Sequence, residues 1–235
     1  MRFQTALIPG RLLRRYKRFL ADIMLDTGEE VVAHCPNPGA MLGLKEPGLR
    51  VWVEPNDDPK KKLKYAWRVA ELPDGVMVGI DTAVPNRVAK EALLAGRVAE
   101  LARYSGVRAE VAYGTRSRVD FLLTEHGLPD AYVEIKNVHL LRQDDWAEFP
   151  DCVTDRGAKH LRELMEVRAA GARAVMLYVI QHEGCARFRT APDLDPVYAA
   201  TFREAAAAGV EMLAYRCAVS PSEITLSHAV PVSLE

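Results

Sequence analysis

The sequence predicts an α/β protein built from a small all-β barrel, residues 1–82, and a larger three-layer α/β domain, residues 83–235. Short extended runs separated by turns dominate as far as Ile80, whereas helical and extended patterns alternate after Pro85. The chain has 235 residues, of which 49% are hydrophobic and 27% charged. A chain of this length and composition can bury a stable core without disulfides.

The first domain is predicted from extended runs with turn signals between them. Asp26-Thr27-Gly28 separates two of the runs and is typical of a hairpin turn. Five short strands within about eighty residues favour a closed barrel of the OB type, a fold that often binds oligonucleotides. The predicted strands cover residues 19–25, 30–35, 50–53, 65–70 and 76–80.

The second domain is predicted from apolar periodicity. Asn86 is a good N-cap for a helix that reaches about Tyr104. The unbroken apolar run 174–180 indicates a strand covered on both faces. The remaining elements are strands at 119–123, 132–138 and 210–215 and helices at 155–170 and 196–208.

Charge, cysteines and hydropathy exclude several classes of protein. The formal net charge is −1, so the chain does not coat polyanions over its whole surface. Its four cysteines are widely separated and form no C-x-x-C pair, so the sequence indicates neither a zinc site nor a disulfide framework. The longest apolar run has only seven residues, far below a membrane span. We therefore expect a cytoplasmic protein without membrane contact.

Two neighbouring predicted strands carry acidic side chains in otherwise apolar runs. Glu134 and Lys136 share one face of their strand, and Asp120 lies on the preceding strand. If the strands pair as a hairpin, Asp120 and Glu134 converge and can hold a hard cation, Mg²⁺ or Mn²⁺. Lys136 would orient a water or stabilise charge on a phosphate. The alternative is a structural ion pair between Glu134 and Lys136.

Two further residues are candidates for the same catalytic site. Glu91 falls on the apolar stripe of the first predicted helix, so we expect it to point inward as a third metal ligand. An interhelical salt bridge is the alternative. Gln181 follows the buried strand 174–180, where ligands gather in α/β sheets, although a glutamine that caps a strand end is also common.

Basic residues in two segments are candidates for nucleic-acid binding. The first segment offers phosphate contacts and base stacking, and the second lies in the first turns of a predicted helix, whose N–H groups can hold a phosphate. The alternative in each case is a solvated or packed surface. The candidates are Arg14, Arg15, Tyr16, Lys17 and Arg18 in the first segment and Arg156, Lys159 and His160 in the second.

The order of these elements resembles the PD-(D/E)xK nuclease superfamily, whose metal-dependent centre would here be Asp120, Glu134 and Lys136. A closer resemblance, to the SfsA (sugar fermentation stimulation protein) family, covers almost the whole chain. One departure is Pro38-Gly39-Ala40, where the resemblance implies small hydroxyl residues after Asn37 and after Gly39. The segments that carry the resemblance are 15–19, 34–37, 113–114, 117–121, 133–138, 149–151, 156–157 and 159–161.

The resemblance implies an OB-like domain, a nuclease-like domain and DNA binding with little sequence preference. Our leading hypothesis is a DNA-binding protein with a Mg²⁺-dependent, nuclease-like phosphodiesterase site. The alternatives are a non-catalytic DNA-binding regulator of sugar metabolism that retains the nuclease fold, and an RNA-binding or RNA-processing protein. The oligomeric state stays open, with a homodimer as one option.

Overall fold

A computed structural model describes residues 1–113 and 117–235, and Gly114 of the quoted segments lies outside the described residues. The N-terminal part is a closed barrel, and the C-terminal part is a mixed sheet with helices on both faces. The predicted fold class is therefore confirmed. The predicted division after residue 82 falls between a strand that ends at Gly79 and a helix that begins at Val84.

Five strands close the barrel, because the third strand pairs with both the second and the fifth. The alternation of buried and exposed residues in the third strand turns one of its faces to the barrel core and the other to solvent. The barrel strands are β1 Ile8–Tyr16, β2 Leu20–Leu25, β3 Glu30–His34, β4 Arg50–Pro55 and β5 Tyr65–Glu71.

The composition of the barrel differs from the prediction in two strands. Arg14, Arg15 and Tyr16 of the first basic segment, for which the sequence predicts no strand, belong to β1, which pairs with β2 and β4. The last predicted strand is β6, Met77–Gly79, which pairs only with β5 within this sheet and lies outside the closed ring. The sequence does not predict β1, because several of its residues are charged and the alternation of buried and exposed positions that is typical of a strand occurs only around Leu12.

The C-terminal sheet has six strands in the order β15-β14-β12-β9-β8-β7. Its centre is parallel, because β9, β12 and β14 run in the same direction, and its other pairs are antiparallel. β12 is buried almost throughout, as its apolar sequence predicts. The strands are β7 Gly106–Tyr113, β8 Ser117–Thr124, β9 Ala131–Val138, β12 Arg173–Ile180, β14 Glu211–Val219 and β15 Ile224–Ala229.

Helices cover both faces of this sheet and complete the three layers. Helix α1, Val84–Leu94, packs on one face, while α2, Asp155–Ala169, and α3, Pro196–Ala207, pack on the other. A small sheet lies on the same side as α2 and α3. Its strands are β10 Leu140–Leu141, β11 Trp146–Phe149 and β13 Arg187–Thr190. No helix in the described residues is long and apolar enough to cross a bilayer.

Helix α1 corrects one prediction. It starts two residues before Asn86 because Pro85 occupies its first turn, and it ends at Leu94, before Gly96 adopts a positive φ of 64°. Asn86 therefore lies inside the helix and is not its N-cap. A separate 3₁₀ turn at Ala99–Leu101 follows.

The carboxylate of Asp151 joins the two halves of the protein. Its Oδ2 accepts a hydrogen bond from the Met41 N–H of the barrel at 3.2 Å and lies 3.5 Å from His139 Nε2. Gly39 lies so close that a side chain there would collide with this carboxylate. Burial raises the pKa of Asp151, but His139 and the Met41 N–H lower it by more, to about 2.

We expect the stabilising effect of Asp151 to depend on pH. A carboxyl whose pKa is lower in the folded than in the unfolded state stabilises the fold above the unfolded pKa, and this effect is lost as the pH falls through the folded pKa. From 3.8 to about 2, the shift corresponds to about 2 kcal/mol. Asp151→Asn should therefore destabilise the protein in urea unfolding at pH 7, by an amount that shrinks between pH 4 and pH 2. An equal loss at every pH, or the same profile in the exposed control Asp57→Asn, would contradict this role.

Candidate functional site

Strand register brings the two predicted carboxylates together. The β8–β9 ladder pairs Phe121 with Val133, so the next position places Asp120 opposite Glu134. Instead of continuing the ladder, Ile135 N–H donates to Asp120 Oδ2 at 2.7 Å. The two strands separate at this point, and both carboxylates line one cavity of about 390 Å³.

Asp120 is held by two donors and faces another negative charge. Besides the Ile135 N–H, Asn86 Nδ2 of α1 donates to its Oδ1 at 2.7 Å. Burial, and secondly the charge of Glu134, raise the pKa of Asp120 above its ordinary value, although both donors lower it in part. A cation between the two carboxylates would remove this repulsion.

Glu134 is buried and only partly paired. Its Oε1 accepts a hydrogen bond from Lys136 Nζ at 2.9 Å and contacts His160 Nδ1. Burial raises the pKa of Glu134, but His160 and Lys136 lower it by more, so its carboxylate is stabilised in the charged form. Its Oε2 is buried and has no hydrogen-bond partner among the described residues.

The N-terminal turns of α2 form the basic wall of the cavity. Thr154 caps this helix through a hydrogen bond from Gly157 N–H to its Oγ1 at 3.1 Å. Arg156, Lys159 and His160 all line the cavity. His160 is buried between Glu134 and Arg156, so the structure places it with the carboxylates and not on an open binding surface. Arg156 and Lys159 are exposed.

Glu91 does not belong to this cavity, and its predicted inward orientation is wrong. Its side chain is 55% exposed, and its carboxylate lies 2.7 Å from the amino group of Met1. Helix α1 reaches the site through Asn86 instead, one turn earlier. The sequence predicts Glu91 on the apolar stripe, but the buried face of α1 consists of Val88, Ala89, Ala92 and Leu93, and Glu91 lies outside it.

Gln181 is fully buried, but its side chain lies at the junction of the two domains. Its Nε2 donates to the Asp81 carbonyl at 3.1 Å and to Asn137 Oδ1 at 2.7 Å. It lines the junction and not the carboxylate cavity. Gln181 lies beyond the end of β12, whereas Glu134 lies in the middle of β9, so the strand-end argument does not predict the position of the carboxylates.

The basic segment of β1 has mixed environments. Arg14 and Tyr16 both bind Asp22 of β2, and the Arg14 guanidinium stacks 4.8 Å from the centre of the Tyr16 ring. Arg15 donates to the carbonyls of Asn37 and Gly39 and so supports a loop at the domain junction. Lys17 and Arg18 form the exposed β1–β2 turn with positive φ values of 48° and 62°.

Three cavity-lining side chains were not predicted as site residues. Glu110 of β7 lies opposite Asp120 in the register, between the pairs Ala109–Phe121 and Val111–Val119, so three acids follow one line across β7, β8 and β9. The others are Ser117, which accepts a hydrogen bond from Lys159, and Arg118. Among the described residues no group of three or more His, Cys, Asp and Glu side chains is arranged to hold a metal ion.

Comparison with known proteins identifies the family. Residues 83–223 match the "Sugar fermentation stimulation protein RE domain" and residues 13–80 match the "SfsA N-terminal OB domain". The chain belongs to the SfsA family. It is 65% identical to the sugar fermentation stimulation protein homolog of Dinoroseobacter shibae, over 99% of this chain and 96% of that protein, and 62% identical to the homolog of a Jannaschia species, over 99% and 97%.

A solved structure of an SfsA protein shares the whole architecture. SfsA of Pyrococcus furiosus, described as a complex with Ca²⁺, superposes with a TM-score of 0.87 at 26% identity. The match covers 99% of this SfsA-family chain and 98% of the other. The relation therefore extends over both domains, including the strands that carry Asp120 and Glu134.

We expect Asn86 to control the protonation of Asp120. In Asn86→Ala, Asp120 Oδ1 loses a donor that favours its charged form, so the pKa of Asp120 should rise further. A carbon-detected NMR titration of the Asp120 carboxyl measures this change. Asn56→Ala in the β4–β5 connection is the control, and an unchanged titration of Asp120 in the Asn86 variant would contradict the assignment.

Proposed function

We propose that this SfsA-family protein binds DNA with little sequence preference and has a Mg²⁺- or Mn²⁺-dependent phosphodiesterase site of the nuclease type. The observation that carries the proposal is the unpartnered, buried Oε2 of Glu134 beside the carboxylate of Asp120. A buried carboxylate oxygen without a donor is costly unless a cation or an ordered water binds it.

The donor set fits a hard divalent cation. Asp120 and Glu134 offer only oxygen ligands, and Mg²⁺ is commonly bound by one or two carboxylates together with substrate phosphates. The description of the Pyrococcus furiosus protein as a Ca²⁺ complex supports divalent binding at this fold. When bound, such a cation stabilises the negative charge that develops on a phosphodiester under attack.

The protein's own residues would perform the remaining tasks. Lys136 holds Glu134 in its charged form, and its ammonium group, 2.9 Å from Glu134 Oε1, can stabilise negative charge that develops on a phosphate bound beside this carboxylate. Arg118, Arg156 and Lys159 line the cavity and can position the DNA backbone. The N-terminus of α2 adds backbone N–H groups that favour an anion. A negative phosphate and a divalent cation thus complement the opposite charges of the two cavity walls.

We expect the purified protein to cleave DNA when Mg²⁺ or Mn²⁺ is added. Asp120→Ala and Glu134→Ala should each reduce cleavage by about 100-fold or more, because each removes a cation ligand. Gel analysis of labelled single- and double-stranded DNA measures the rates. Glu204→Ala, which removes an exposed acid of α3, should leave the rate unchanged. Equal cleavage by the wild type and the Asp120 and Glu134 variants would refute the catalytic assignment.

We also expect binding to depend on the basic wall of the cavity. Lys159→Ala should weaken DNA affinity for all sequences alike and reduce the slope of log affinity against log salt by about 1, because one phosphate contact is lost. Titrations at several salt concentrations without divalent cations measure this slope. Lys45→Ala, at an exposed position of the β3–β4 connection, is the matched control. An unchanged slope in the Lys159 variant would place the DNA backbone elsewhere.

A DNA-binding regulator without turnover is the second candidate. It is favoured by the absence, within the described residues, of a third side chain in metal-binding geometry. In that case the affinity would fall with salt in the same way, but no metal would produce cleavage. The two assays above separate these functions.

A further inference from the structure

A second cavity lies between the two domains and has no role in the function proposed so far. It encloses about 310 Å³ and combines barrel residues of the loop at 37–39 with residues of the C-terminal domain. Its walls are mainly apolar, with Pro38, Phe149, Pro150 and Val153 among the lining residues. We call it the junction cleft. A mainly apolar cleft with a few polar groups, placed between domains, is typical of a binding site for a small ligand or a single chemical group.

One polar atom of the junction cleft is buried without a partner. His139 is only 5% exposed, and its Nε2 makes no hydrogen bond within the described residues, although Asp151 Oδ2 lies 3.5 Å away. Asp151 and His139 both line the cleft. They therefore place a charged acceptor next to an unused ring nitrogen, in a site that is otherwise apolar.

The hydrogen-bond network assigns the proton of His139. Gln181 Nε2 donates to the Asp81 carbonyl, which fixes its amide orientation, and also to Asn137 Oδ1. Asn137 consequently turns its Nδ2 towards His139 Nδ1, at 3.2 Å, and donates to it. In neutral His139 the proton then lies on Nε2. The wall of the junction cleft thus contains one N–H donor and one carboxylate acceptor side by side.

The junction cleft adjoins the carboxylate cavity at the start of α2. Val153 and Thr154 line the cleft, and Arg156, Lys159 and His160 in the first turns of the same helix line the carboxylate cavity. An apolar group that enters the cleft would therefore have a phosphate-binding position on this side.

We propose that the junction cleft binds an unpaired nucleobase of the DNA strand whose phosphodiester lies at Asp120 and Glu134, so that single-stranded DNA is the preferred substrate. The proposal rests on the proposed function and deepens it. Each of the four bases has a hydrogen-bond donor next to an acceptor on its Watson–Crick edge. These groups are free only when the base is unpaired. The His139 N–H and the Asp151 carboxylate can therefore bind any base, but only when its pairing edge is free.

This arrangement explains how a base-binding site can be compatible with little sequence preference. The apolar walls accept the flat face of any base, as stacking platforms in single-strand-binding proteins do. The cleft therefore distinguishes single-stranded from double-stranded DNA, but it does not distinguish one base sequence from another. In a duplex the same base edge is occupied by its partner, and binding would require unpairing.

Binding of labelled oligonucleotides tests the proposal without cleavage. Fluorescence anisotropy in EDTA compares a 12-nucleotide single-stranded DNA with the same strand made of abasic nucleotides and with a duplex of equal length. We expect the wild-type protein to bind the strand with bases at least about tenfold more tightly than either competitor, since base contacts of this kind are worth more than 1 kcal/mol each.

A variant that fills the junction cleft isolates its contribution. Val153 is 69% exposed at the cleft, so Val153→Trp should fold normally and obstruct the entry of a base. We expect it to weaken binding of the single strand at least about tenfold and to leave duplex binding unchanged. Val197→Trp, at a position of α3 that is 56% exposed, is the matched control and should bind like the wild type.

The outcomes separate this inference from the proposed function. If the wild type binds single strands, abasic strands and duplexes equally well, or if both tryptophan variants behave alike, the base-binding role of the cleft is overturned while DNA binding stands. If the wild type binds no DNA even at low salt, the proposed function fails first, and the inference fails with it.

Discussion

The candidate site depends on the interaction of Asp120 with the backbone of the neighbouring strand. By accepting the Ile135 N–H, this carboxylate ends the β8–β9 ladder at the point where Glu134 faces it. The separation of the strands then opens a cavity in the sheet, and Asn86 holds the second oxygen of Asp120. A sheet that continued its hydrogen bonding here would bury two like charges without space for a ligand, which is unfavourable.

Basic residues on the opposite side of the cavity compensate the negative charge of the Asp120 and Glu134 carboxylates. Lys136 and His160 share one oxygen of Glu134, and Arg156 lies behind His160. Such a network keeps the other oxygen of Glu134 in a fixed direction, because both partners act on Oε1. The arrangement holds two carboxylates in fixed positions and surrounds them with basic side chains. These are the charges needed to bind a cation and a phosphate together.

The sequence predicts the fold class and the convergence of Asp120 and Glu134, because both depend on local periodicity and on the pairing of neighbouring strands. The apolar run of β12 and the capped helix α2 were recognised within one residue of their observed bounds. Asn86 is not the N-cap because the helix already begins at Val84, with Pro85 in its first turn, and Glu91 does not point inward because it lies off the buried face of Val88, Ala89, Ala92 and Leu93. Glu110 and His139 could not be found from the sequence, because their positions follow from strand register and domain packing.

The short strand β6 limits motion between the two halves of the protein. Val78 pairs with His182, and the Gly79 N–H donates to the Gln181 carbonyl at 2.8 Å, so this edge strand of the N-terminal sheet is joined by backbone hydrogen bonds to the residues that follow β12. Met1 likewise donates to Ile224 at the far edge of that sheet. Hinge motion between barrel and sheet would have to break these hydrogen bonds, so they hold the two halves together and limit any change in the width of the junction cleft.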